Sequence, residues 1–83
     1  MSYADDVRNY CRKTYVDVAR AKGEKTVSMR SGDVHAALGY KNRYPLVCSA
    51  IGSNKFEGMC RVKRISVEGP LNGVNTVFTF ELM

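Results

Sequence analysis

Residues 26–56 read TVSMRSGDVHAALGYKNRYPLVCSAIGSNKF, and how this stretch folds decides how the rest of the chain is organised. Val27 and Met29 fall on one side of Thr26, Ser28 and Arg30, the pattern of a short half-buried strand. Ser31 then offers a side-chain oxygen as a helix cap, Gly32 and Asp33 fill the first turn, and Val34, Ala37 and Leu38 form a narrow apolar stripe. His35 lies off that stripe, without an Asp, Glu or Ser at a triad or metal spacing, and is read as a solvent-side or packing residue. Gly39 has no Cβ and lets the chain turn sharply. A second helix then begins within residues 42–45 and is expected to run to about residue 55. Pro45 suits its first turn, where a missing N–H costs nothing, and Asn42 or Tyr44 supplies the cap. Leu46, Val47, Ala50 and Ile51 form its buried face. Lys41, Asn42, Arg43 and Tyr44 ring its N-terminal end, while Cys48, Ser49, Ser53, Asn54 and Lys55 lie beyond. Gly52 marks the helix end or a weak point in it, and Phe56 returns to the core.

Upstream, Ser2 is a cap and Asp5 and Asp6 suit the positive end of a helix dipole. Neither proline nor glycine interrupts the chain before Gly23, so one helix of about twenty residues is predicted. Tyr3, Val7, Tyr10, Cys11, Tyr15, Val18 and Ala19 recur at helical spacing as its buried stripe. The same spacing makes the three tyrosines core residues rather than a stacking platform for nucleic acid. Downstream the period changes from 3.6 to 2. Met59, Arg61, Lys63 and Ile65 lie on one side of a strand, and Cys60, Val62, Arg64 and Ser66 on the other. Gly69, Pro70, Asn72 and Gly73 form a turn cluster, and Val74, Val77, Phe78, Phe80 and Leu82 a closing strand. An antiparallel hairpin over residues 59–82 follows.

With 83 residues, 45% of them apolar and 25% charged, the chain has room for one domain, 1–83, with one modest core and no large buried active site. Thirteen basic residues against eight acidic give +5, which favours polyanions such as DNA or RNA. Cys11, Cys48 and Cys60 are odd in number and widely spaced, and are read as free thiols, with Cys11 and Cys48 as small core residues on helices. With one histidine, no Gly-rich phosphate loop and no nucleophile elbow, an enzyme is the least supported class, and no cofactor or metal is implied. Asp33 and His35, two apart on a helix, point in different directions. The apolar runs fall far short of the roughly 20 residues that a membrane span needs, and the first residues carry no secretory pattern. The expected location is cytoplasmic.

The order helix, strand, helix, turn, helix, hairpin resembles the winged helix-turn-helix DNA-binding domains. The resemblance is carried by RSGDVHAALGYKNRYPLVCSAIG for the helix pair and by the hairpin around EGPLNG for the wing. SGDVHAALG followed by KNRYP is also similar to small archaeal winged-helix proteins. The resemblance covers nearly the whole chain at the level of topology and turn placement. It implies an α+β fold of three helices with a small antiparallel β-sheet and wing. It also implies double-stranded DNA as partner, a nucleoid-associated transcriptional regulator, and a homodimer joined through the first helix and the terminal strand. In that family the second helix of the pair enters the major groove. Here this would bring Lys41, Asn42, Arg43 and Tyr44 in first, with Ser49, Ser53 and Lys55 further along, and lay the hairpin beside the DNA backbone.

Side-chain chemistry supports these roles independently. Arg43 can donate twice to guanine O6 and N7, Asn42 can pair with adenine N6 and N7, and Lys41 can neutralise a phosphate. The turn tip PLNG has no basic residue, so phosphate contact falls to Arg61, Lys63 or Arg64 along the strand. The alternative is a protein-interaction module of a larger complex, with an acidic protein partner that meets the same positive charge. RNA stands third, because the aromatic strand motifs of RNA-binding sheets are absent.

Overall fold

A computed structural model describes residues 2–70 and 73–83. The Ser2 hydroxyl accepts the Asp5 backbone N–H at 3.2 Å and starts α1 (Tyr3–Cys11), with Asp5 and Asp6 in its first turn. The helix continues without a break through a π-helical turn (Arg12–Val16) into α2 (Asp17–Ala21). In that turn the Asp17 N–H reaches back five residues to the Arg12 carbonyl. One inserted residue shifts the apolar register downstream. The buried stripe therefore runs Val7, Cys11, Val16, Ala19, and Val18, predicted inside at regular spacing, is 44% exposed. Tyr10 and Tyr15 are half-buried and meet edge to face at 6.2 Å, whereas Tyr3, also predicted inside, is half exposed. Gly23, with φ +73°, ends the run, and the Glu24 N–H closes back on the Ala19 carbonyl.

Strand β1 (Thr26–Arg30) turns Val27 and Met29 inward as predicted. Helix α3 (Ser31–Ala37) follows at once, with Arg30 rather than Ser31 at the cap position. The α3 cap comes from far along the chain instead. The Ser31 N–H donates to the Thr76 carbonyl, the Gly32 N–H to the Val74 carbonyl, and the Ser31 hydroxyl to the Gly73 carbonyl. Val34 is buried as predicted, Leu38 is half-buried, Ala37 is exposed and His35 is buried.

Helix α4 (Tyr44–Ile51) has Pro45 in its first turn, Arg43 at the cap position without a side-chain cap bond, and Gly52 at its end. Asn42, one of the two residues predicted as the cap, instead takes a left-handed φ of 55°. The single helix expected over residues 42–55 is two helices. Ser53 starts α5 (Asn54–Cys60) by accepting the Phe56 N–H at 3.3 Å. Met59 and Cys60, read as strand, close α5, and Arg61 at φ 57° turns the chain into β2 (Val62–Glu68). Strand β3 (Val77–Leu82) lies between the other two, giving an antiparallel sheet of order β1-β3-β2.

Val27 faces Phe80 and Met29 faces Phe78 on one side of β3, with Arg64 opposite Phe80 on the other. The register slips between Arg64 and Ser66, making Ile65 an extra, half-exposed residue and ending the simple alternation predicted for β2. The Glu57 carboxylate accepts the Arg64 backbone N–H at 3.0 Å and covers part of that edge strand. The core joins Val7, Cys11, Val34, Ile51, Phe56 and Phe80, and the Phe56 and Phe80 rings lie 5.2 Å apart. Of the predicted turn tip, Leu71 and Asn72 lie outside the described residues. Gly69, Pro70 and Gly73 flank it, folded round the buried Thr76 hydroxyl, which donates to the Pro70 carbonyl and accepts the Gly73 N–H. Among the described residues no helix is long and apolar enough to cross a membrane.

Candidate nucleic-acid interface

The corner between α3 and α4 is built on His35. Its Nε2 accepts the Arg43 backbone N–H at 3.1 Å, and its ring stacks on Tyr44 with centroids 4.0 Å apart and planes 19° from parallel. Tyr40 meets the imidazole edge to face at 6.1 Å. His35 is thus a packing residue, 5% exposed, that holds the corner's backbone while Lys41, Asn42 and Arg43 stay exposed. The Arg43 guanidinium carbon lies 4.4 Å from the centre of the Tyr3 ring, and Tyr3 in turn meets Tyr40 edge to face at 5.5 Å. Partial burial, and then the Asp6 carboxylate, raise the Tyr40 hydroxyl above its ordinary range.

Helix α4 buries Val47, Cys48, Ala50 and Ile51 and exposes Pro45 and Ser49, with Leu46 between. None of its eight residues is charged. At its C-terminal end the Ser53 hydroxyl is fully used. It accepts from Arg8 Nε at 3.1 Å and from the Phe56 N–H, and donates to the Ala50 carbonyl at 2.7 Å. Arg8 and Lys55 both reach the Asp5 carboxylate, at 2.9 and 3.2 Å. Lys55 foremost, then Ser2 and Arg8, hold that carboxyl below its usual range. Ser53 and Lys55 therefore tie α5 to α1, and the Ser53 hydroxyl has its hydrogen bonds taken up within the fold.

On the other flank of α4, Arg64 Nη1 donates to the Gly52 carbonyl at 2.8 Å. A Cβ on residue 52 would stand 3.2 Å from that nitrogen, so Gly52 makes room for the arginine. Between α4 and the β2–β3 hairpin lies an open cleft of about 510 Å³, lined among others by Ser49, Gly52, Arg64, Val67 and Phe78. Lys63 alternates to the opposite face of the sheet, where it stands across from Glu81. Arg61 sits at the far end of α5, where its carbonyl accepts from Arg20. The fold thus gathers Lys41, Asn42, Arg43, Ser49 and Arg64 around α4 and does not bring Lys63, Arg61 or Lys55 to the same face.

The remaining reactive groups are closed off. Burial raises the Cys11 thiol to about 12 and the Cys60 thiol to about 11. Cys48 is buried with its sulfur 3.8 Å from the Gly73 carbonyl. Among the described residues no three His, Cys, Asp or Glu side chains cluster so as to hold a metal.

Two features escape a reading of the sequence. The pairing of Tyr3 with Arg43 joins residues forty positions apart, and the anchoring of Arg64 on Gly52 needs the hairpin folded against α4. In comparisons with family models, with curated proteins and with solved structures, nothing matches this chain.

Proposed function

We propose that this chain is a non-enzymatic, DNA-binding winged helix-turn-helix protein acting as a transcriptional regulator. In this reading α3 and α4 are the helix pair, α4 lies in the major groove, β2 and β3 form the wing, and α5 is an added helix between them. The observation that carries it is the bracketing of α4 by two guanidinium groups, Arg43 before its first turn and Arg64 at Gly52 after its last. Nine residues of helical rise separate those ends, about 13 Å. The major groove is about 12 Å wide, so with α4 in the groove Arg64 at one end can reach a phosphate while Arg43 at the other reaches a base edge. Lys41 adds charge and Asn42 a neutral hydrogen-bonding group at the first end, and Ser49 lies between the two ends. A protein working in this way is found on the nucleoid. As a homodimer it would set two copies of α4 one DNA turn apart and select a palindrome.

Titration of duplex DNA at rising salt tests the reading. The native protein is expected to bind at micromolar concentration or better in low salt and to weaken steeply as salt rises. Arg64→Ala should lower the salt slope by about 1, whereas Arg43→Ala should reduce preference among sequences by roughly 1 to 3 kcal/mol. No binding near 10⁻⁴ M at low salt contradicts the proposal.

A protein-interaction module is the second reading, and the uncharged face of α4 favours it. Pro45, Leu46 and the apolar cleft floor at Val67 and Phe78 suit a partner's side chains as well as a groove. An acidic protein partner would then meet Arg43 and Arg64.

A further inference from the structure

We propose that Tyr3, on the first turn of α1, is a positioning residue for Arg43, so that the DNA-reading surface includes a helix outside the α3–α4 pair. The inference rests on the DNA-binding reading above. Tyr3 is 50% exposed and lies outside the buried core, so its packing does not explain its place. Its ring carries the Arg43 guanidinium at 4.4 Å and is set by an edge contact with Tyr40. Arg43 is therefore held at two points, its backbone N–H by His35 Nε2 and its cation by Tyr3.

A guanidinium is planar and its N–H donors point outward in that plane, so contact through its face leaves the donors free for a base edge. Among the described residues no acceptor takes a side-chain donor of Arg43. An arginine restrained in this way has less rotamer freedom to lose on meeting a base, whereas a loose one pays that cost at binding. The first turn of α1 is itself fixed, by the Ser2 cap and by Asp5, which binds both Arg8 and Lys55. Tyr3 thus stands on a rigid support.

The test compares a duplex enriched from a random pool with a length-matched random duplex, using native protein, Tyr3→Phe, Tyr3→Leu, Arg43→Ala and the Leu/Ala double variant. Tyr3→Leu is expected to weaken the enriched duplex about two- to fivefold while leaving the random duplex unchanged, and Tyr3→Phe to restore the loss. In the Arg43→Ala background Tyr3→Leu should change nothing further. In the free protein, the Arg43 side-chain methylene protons should resonate upfield under the Tyr3 ring and lose that shift in Tyr3→Leu. Equal losses on both duplexes, a loss that persists without Arg43, or no ring-induced shift would overturn the positioning role. If the native protein binds no duplex, the DNA-binding reading fails and the role in recognition falls with it, while the methylene shift still decides whether the stack exists.

Discussion

Cys11 and Cys60 carry the clearest titration in the molecule. An exposed thiol ionises near 9.0, but burial, aided by the neighbouring Cys60, raises Cys11 to about 12, and burial raises Cys60 to about 11. The folded chain keeps these protons at pH values where the unfolded chain gives them up. Their contribution is complete below about pH 9 and falls as pH rises towards 11 to 12, by at most about 1.4 kcal/mol per pH unit for each thiol. Tyr15, whose hydroxyl is raised chiefly by burial, adds loss of the same sign. The urea midpoint should therefore drop between pH 8 and pH 10.5, more in the native protein than in Cys11→Ala. A midpoint flat over that range contradicts the account. At the same scale the sequence was informative about residue type and poor about exposure. Cys11 and Cys48 are the small core residues that their apolar neighbours predict. Tyr3 and Val18 sit on the wrong side of that prediction, because a stripe drawn at 3.6 residues cannot know of a π-turn at Arg12–Val16 or of an aromatic cluster assembled across helices, while His35, read as solvent-side or packing, is a packing residue.

Among the elements, the docking of the β2–β3 loop on α3 is the contact that sets the hairpin beside α3 and α4. The first N–H groups of α3 are orphaned unless something caps them, and the carbonyls of Val74 and Thr76 do so. Gly32 permits the approach, since a Cβ there would stand 2.6 Å from both the Val74 carbonyl oxygen and its Cγ2. Gly32→Ala is expected to cost about 1 to 3 kcal/mol of stability, measured by urea unfolding, and to loosen the hairpin first, read as faster amide exchange at Ser31 and Gly32. Unchanged stability and exchange would show that the two elements are not locked in this way. The strand β1, the turn at Gly39, the Pro45 start of α4 and the closing strand β3 were legible, because each has its own local chemistry. The split of residues 42–55 at Gly52 and Ser53 was only half legible. Gly52 reads as a weak point, but Ser53 as a new cap depends on Arg8 and on Phe56 being drawn into the core. Met59 and Cys60 alternate with their neighbours as a strand would, and only the left-handed Arg61 shows that the strand starts later.

For the molecule as a whole, the +5 charge is less free than the count suggests. Arg8, Arg30 and Lys55 are paired with carboxylates, and Arg20 binds the carbonyls of Cys60 and Arg61. The sheet's outer face is mixed, with Lys63 across from Glu81 and the Ser28 hydroxyl 2.9 Å from that of Thr79. Around α4, the guanidinium groups of Arg43 and Arg64 form no carboxylate ion pair among the described residues, as is also true of the side chains of Arg12, Lys13, Lys22, Lys25, Lys41, Arg61 and Lys63. In the DNA-binding account Arg43 and Arg64, placed at the two ends of α4, meet the duplex and the sheet's outer face does not. The most direct measurement is a backbone amide spectrum of the labelled protein during addition of duplex DNA at low salt. The account predicts that shifts concentrate at residues 41–49 and at Arg64, with Tyr3 responding through Arg43, while Ser28, Lys63 and Thr79 stay in place. Shifts centred on the outer sheet face, or none at all, would contradict it.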